Sequence, residues 1–314
     1  MIDFRYHLVT VVAIFFALAA GIALGAGPLQ AQLSQSLTDQ ASSDRLGEQR
    51  AQTDLSVAQA RLAFADDFAG STSPAIVGSA LDGRTVSIIM LPGADRSAVR
   101  ALREEIVAAE GSVVSSLTFT RDLLDPANRQ LAEGLSERVL SRGGSKAAGS
   151  TKDRATGSYQ LVGAAVARAF LSTSDQRAER DDTATGIEAA FTEAGLISAG
   201  RSPARRAQLA LLVTGAPTAD DPDGYDAVAA EIAVALDESA VGVVVAGPSA
   251  AADEGVVRAV RESTAGAKVS SVDALDLPAG RVVTVLALAE QAQGAAGQYG
   301  VGEAADSAAP SIRR

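Results

Sequence analysis

The sequence predicts an α/β protein. A mainly parallel, Rossmann-like sheet with a helical insert follows a single N-terminal transmembrane helix and a helical coiled-coil stalk. Three observations predict it. One unbroken apolar run occupies residues 8–27, a proline-free polar stretch with spaced leucines follows, and short apolar segments then alternate with helical patterns.

The apolar run contains no charged residue. At ~1.5 Å per residue it spans roughly 30 Å, the thickness of a bilayer's hydrocarbon core. Arg5 precedes it, balanced by Asp3, and no Lys or Arg follows until Arg45. The positive-inside rule then places residues 1–7 in the cytoplasm and the rest of the chain outside the cell membrane. An uncleaved anchor and a cleaved signal peptide are the competing readings. The run exceeds the h-region of about 7–15 residues, and Pro28 spoils cleavage after Gly25-Ala26-Gly27, so the anchor is expected. Ala13, Ala17, Gly21 and Gly25 recur every fourth residue, a small-residue stripe that lets two membrane helices approach.

Residues 28–69 carry Leu29, Leu33, Leu37, Leu46, Leu55 and Leu62 in a Gln- and Ser-rich background. Leu29, Leu33 and Leu37 form a helical stripe, and Leu55 and Leu62 are one heptad apart. The pattern predicts a long helix, read as a parallel coiled coil. The other reading is a solitary amphipathic helix lying on the globular part. Gly47 weakens such a helix by about 1 kcal/mol relative to Ala. Gly, Ser and Pro at 70–74 predict a hinge, within a linker over 70–84.

The α/β part is expected over 85–293. Segments 85–91, 112–119, 208–214, 241–246 and 269–272 are apolar and rich in β-branched residues, as strands buried on both faces must be. Helical patterns at 97–109, 225–236, 253–262 and 281–293 alternate with them. A helical insert spans about 122–203, with helices near 130–140, 159–171 and 185–194. It either packs on the sheet edge or forms a small subdomain. Residues 294–314 are rich in Gly, Ala and Ser and are expected to be disordered.

Composition excludes several functions. Cysteine is absent, so no disulfide or thiolate chemistry is possible. The net charge of −11 argues against a nucleic-acid partner. The single histidine, His7, lies beside the predicted membrane segment, so no Ser-His-Asp triad can form in the α/β part. Gly93, Gly215 and Gly247 end predicted strands, but none of these turns is a phosphate-binding glycine motif, and they read as strand-to-helix turns. The run containing Asp220, Asp221 and Asp223 reads as a solvated loop, with weak divalent-cation binding as the alternative. No catalytic, cofactor or metal residue is expected.

The opening MIDFRYHLVTVVAIFFALAAGIALGAGPL resembles that of the actinobacterial copper transporter MctB family. So do Val272-Asp273, the stretch from Gly280 to Leu288, and Gly297-Gln298-Tyr299-Gly300. The resemblance covers the whole chain. It implies copper efflux or homeostasis, with an envelope pore. SteB-like members imply a membrane partner, SteA, and a role in septal cell-wall hydrolysis. Copper is possible by this resemblance alone. Cu(I) prefers Cys, Met and His, and this chain offers Met1, Met90 and His7. The residue chemistry instead predicts a non-enzymatic, homodimeric scaffold or regulator. Its expected helix–helix interface comprises Ala13, Ala17, Gly21, Gly25, Leu33, Leu37, Leu55 and Leu62.

Overall fold

The computed structural model describes residues 4–25, 28–142, 159–174, 178–200, 203–263 and 267–311. The chain divides into two compact units, Met1–Ala65 and Asp66–Arg314.

The first unit is helical. Helix α1, Phe4–Gly25, is apolar all round. Its segment Arg5–Ala23 is long and apolar enough to cross a membrane, and none of it is buried within the protein. Helix α2, Pro28–Val77, starts in this unit and ends in the second.

The expected hinge at 70–74 and linker over 70–84 are corrected. α2 runs through Gly70 and Pro74 to Val77. An interior proline costs a helix about 3 kcal/mol in isolation, so packing must offset it here. Val77 and Leu81 are buried in the core, and the buried Ser73 hydroxyl donates to the Glu105 carboxylate. Those contacts hold the last turn of α2 in place.

The second unit continues with β1 (Thr85–Met90), α3 (Arg96–Ala108), β2 (Ser112–Phe119), α4 (Arg121–Leu124), α5 (Arg129–Arg142), α6 (Gln160–Phe170) and α7 (Asp182–Glu193). Then come β3 (Ile197–Ala199), β4 (Leu209–Val213), α8 (Tyr225–Asp237), β5 (Gly242–Ala246), α9 (Val256–Glu262), β6 (Ser270–Val272), α10 (Pro278–Gln291) and β7 (Gln298–Tyr299). The sheet order is β3-β2-β1-β4-β5-β6-β7. All neighbours run parallel except β3, which is antiparallel to β2.

Side chains alternate across the strands, and both faces are apolar. Val86, Ile88, Leu209, Leu211, Val213 and Val244 point to one face, where Leu102 and Ile106 of α3 and Val285 and Leu288 of α10 cover them. Ile89, Leu117, Ala210, Leu212, Val243 and Val245 point to the other. There they meet Val162, Val166 and Phe170 of α6, Phe191 of α7, Ile232 and Leu236 of α8 and Val257 of α9. The insert therefore packs over one sheet face as part of the main core. Gly163 lets α6 approach α8 closely, since a Cβ there would lie 2.4 Å from that of Ala235.

Two short strands escaped the sequence pattern. β3 lies inside the expected insert. β7 overturns the expected disorder over 294–311, because it pairs with β6 and the chain beyond it folds back; the last three residues of the expected tail lie outside the described residues. The Asp306 amide donates to the Gln298 carbonyl at 2.7 Å, and the Gly300 amide to the Ser307 carbonyl at 3.1 Å. Residues 143–158, between the expected insert helices near 130–140 and 159–171, lie outside the described residues.

Candidate functional site

An open α/β sheet binds ligands at its carboxyl edge, where the strand order reverses. Here that point lies between β1 and β4, because the chain leaves β1 for β2 and later returns to β4. The two loops carry Gly93 and Gly215, and they close the crevice on themselves. A Cβ at Gly215 would lie 2.3 Å from the Gly93 carbonyl oxygen. Gly93 itself has φ +82°, a left-handed conformation that glycine adopts freely. Beside them, a Cβ at Gly247 would lie 2.8 Å from the Thr214 methyl. Gly93 and Gly215 thus pack backbone on backbone, and Gly247 packs against the Thr214, Val257 and Ala251 side chains. Asp95 then caps α3, accepting from the Ser97 amide at 2.8 Å.

The acidic loop behaves as a turn. The Asp221 carboxylate accepts from the Thr218 amide at 2.8 Å and faces Arg121 at 3.7 Å. Burial, then the Asp221 charge, pushes the Asp226 carboxyl up. Tyr225 is 4% exposed and its hydroxyl has no hydrogen-bond partner among the described residues. Burial and the neighbouring Asp221 push that phenol up as well. Among the described residues, no three of His, Asp and Glu converge where they could hold a metal ion.

The expected helix–helix residues fall on two helices. Ala13, Ala17, Gly21 and Gly25 lie on α1 and are exposed. A Cβ at Gly21 or Gly25 would meet nothing within 4 Å. Leu55 and Leu62 of α2 are 59% and 52% exposed. Leu33 and Leu37 belong to α2, but their side chains lie outside the described residues. Ala51, Ala58 and Ala65 fall at the heptad positions facing Leu55 and Leu62, an alternation the leucine spacing alone did not reveal.

The stretches at 272–273 and 297–300 meet in one place. Asp273 follows β6 and is wholly buried with Arg261 of α9, which is 3% exposed at its side chain. The Arg261 Nη1 donates to Asp273 Oδ2 at 2.7 Å, its Nε to the Ser271 hydroxyl at 2.7 Å and its Nη2 to the Tyr299 carbonyl at 2.8 Å. The amides of Val301 and Gly302 donate to Asp273 at 2.6 and 3.1 Å. Gly300 has φ +138°, and a Cβ there would lie 1.9 Å from Asp273 Oδ1. The Tyr299 hydroxyl donates to Glu290 of α10, and burial together with that carboxylate pushes the phenol up. Gly280 starts α10 so close to Ala274 that a Cβ would lie 1.7 Å from its carbonyl oxygen. With both carboxylate oxygens of Asp273 occupied, this cluster is a clasp for the C-terminal chain. Arg261 is the member that sequence reasoning missed; the helix Val256–Glu262 also carries Arg258 and Glu262, so nothing in the sequence singles it out.

The family model described as "Copper transport outer membrane protein, MctB" matches residues 1–310. The chain belongs to the MctB family. Proteins named "Copper transporter MctB" from Mycobacterium tuberculosis and Mycobacterium bovis are 28% identical over 320 residues, covering 97% of this chain and 98% of theirs. The Mycobacterium leprae protein of that name is 25% identical over 316 residues, covering 98% of each. In this MctB-family chain the stretches that carried the resemblance build the membrane-type helix and the C-terminal clasp.

Proposed function

We propose that this MctB-family chain is a single-pass, non-enzymatic protein of the cell envelope that works as a dimeric scaffold. It would present its α/β unit outside the cell membrane to envelope or division machinery, with a SteA-like membrane protein as partner. Helix α2 carries this reading. It is 50 residues long, and Leu55 and Leu62 form an exposed heptad stripe along it. A second copy is the natural cover for such a stripe, because heptad leucines and alanines interdigitate between helices. The charge of Arg5 and the apolar span Arg5–Ala23 support the membrane orientation. The backbone-filled crevice at Gly93 and Gly215 supports a role without catalysis.

The test is the oligomeric state of the full chain in a non-ionic detergent. The double changes Leu55→Gln with Leu62→Gln, and Gly21→Ile with Gly25→Ile, should each shift a dimer toward monomer. An oligomer untouched by both would remove this reading.

A second reading is favoured by the names of the relatives: a component of copper efflux, with copper as cargo. Among the described residues one helix is long and apolar enough to span a membrane, and a single span encloses no pore, so a conducting path would need several copies. Deleting the gene and measuring growth on copper separates the two. Copper sensitivity that point changes in the α2 stripe do not reproduce would favour efflux.

A further inference from the structure

We infer that Arg61 of one copy pairs with Asp66 of a second copy, and that this ion pair sets the register of a parallel α2 dimer. The inference rests on the dimeric reading above and names what fixes its geometry. Copies anchored in one membrane with the same orientation send their α2 helices out on the same side, so the two run parallel. Both residues stand on the one continuous helix Pro28–Val77.

The apolar residues fix the heptad. Leu55 and Leu62 hold one core position, and Ala51, Ala58 and Ala65 hold the other. One heptad earlier the same two positions carry Asp44 and Glu48, so the apolar seam begins at Ala51. In register, Leu55 meets Leu55 of the second copy and Leu62 meets Leu62. A slip of one heptad would match one leucine layer instead of two and set Leu55 against Glu48. It would also set Arg61 against Gln59.

Arg61 immediately precedes Leu62 and Asp66 immediately follows Ala65, so each borders the seam. In a parallel coiled coil these bordering positions meet across the interface, each residue facing one about five positions later on the other helix. Arg61 and Asp66 have that offset, and two-fold symmetry makes the pair twice. Arg61 is exposed and Asp66 half-buried. Among the described residues, neither takes part in an ion pair within its own chain. No charged residue stands three or four positions from either along the helix, so α2 itself offers them no counter-charge. The second copy supplies one to each. Exposed ion pairs add little stability, and their larger effect is on which pairing is chosen.

The test uses the full chain in a non-ionic detergent. The chain has no cysteine, so Ala58→Cys reports an in-register seam by forming a disulfide between copies. In that background, Arg61→Glu alone and Asp66→Arg alone each set like charges face to face twice per dimer. Each should weaken its own dimer about tenfold. Mixing the two variants, with different tags, restores both opposite-charge pairs in the mixed dimer. Mixed dimers should therefore exceed the statistical half of all cross-linked species, a result that damage to either variant's fold would not produce. Dimers that fail to cross-link at residue 58, or mixed dimers that stay at one half, would overturn the Arg61–Asp66 pair and leave the dimer standing. A chain that is monomeric before any substitution would remove the dimeric reading itself, and the pair with it.

Discussion

Asp273 shows how one residue can hold a chain end that looks disordered in sequence. Its carboxylate takes the Arg261 guanidinium and the amides of Val301 and Gly302 inside the protein. Asp273→Asn removes the charge and leaves Arg261 buried and unpaired. The loss expected is about 3–5 kcal/mol, read from chemical denaturation. Pairing it with Arg261→Met should recover part of that loss, because no lone charge then remains buried. Asp181 makes a different prediction. Its hydrogen bond from Arg168, then the Ala184 amide, holds its pKa down to about 2. A depressed carboxylate stabilises the fold above its unfolded pKa, near 3.9, and that contribution is lost as pH falls through about 2. The half-exposed Asp181 makes the effect small. Asp181→Asn should flatten the stability profile between pH 4 and 2 and leave the same profile shape from pH 5 to 7.

At the scale of elements, the long strands and helices were legible because their residues repeat. β2 starts and ends where its apolar, β-branched run does, and β1, β4 and β5 fall within a residue or two of theirs. β3 and β7 were not legible. They have three and two residues with no continuous apolar run, and the sheet recruits them by backbone pairing together with the buried side chains of Ile197 and Tyr299. The hinge at Gly70 and Pro74 misled for a related reason. Composition reports local propensity, whereas Ser73, Val77 and Leu81 fix the end of α2 by tertiary contact. Propensity does govern exposed stretches of the same helix. At Gly47 a Cβ would meet nothing within 4 Å. Gly47→Ala should therefore stabilise α2 by about 1 kcal/mol, seen as higher helicity at 222 nm on heating.

At the scale of the whole molecule, the sheet's plan was readable because both of its faces are apolar, which requires helices on each side. The insert's place was not, since Val162, Val166 and Phe170 could as well have closed a separate subdomain. Only the tertiary structure assigns them to the sheet. The helix stripes could be found from spacing, whereas the clasp joins residues up to 38 positions apart and leaves no periodic trace. Family membership brings copper into view, while the described residues bring no cluster of three metal-ligating side chains together. The two readings part most cleanly in one titration of the purified full chain with Cu(I), followed by light scattering. A dimeric scaffold predicts a stable dimer that takes up no stoichiometric copper. A monomer, or a chain that binds copper tightly at a fixed ratio, would contradict it.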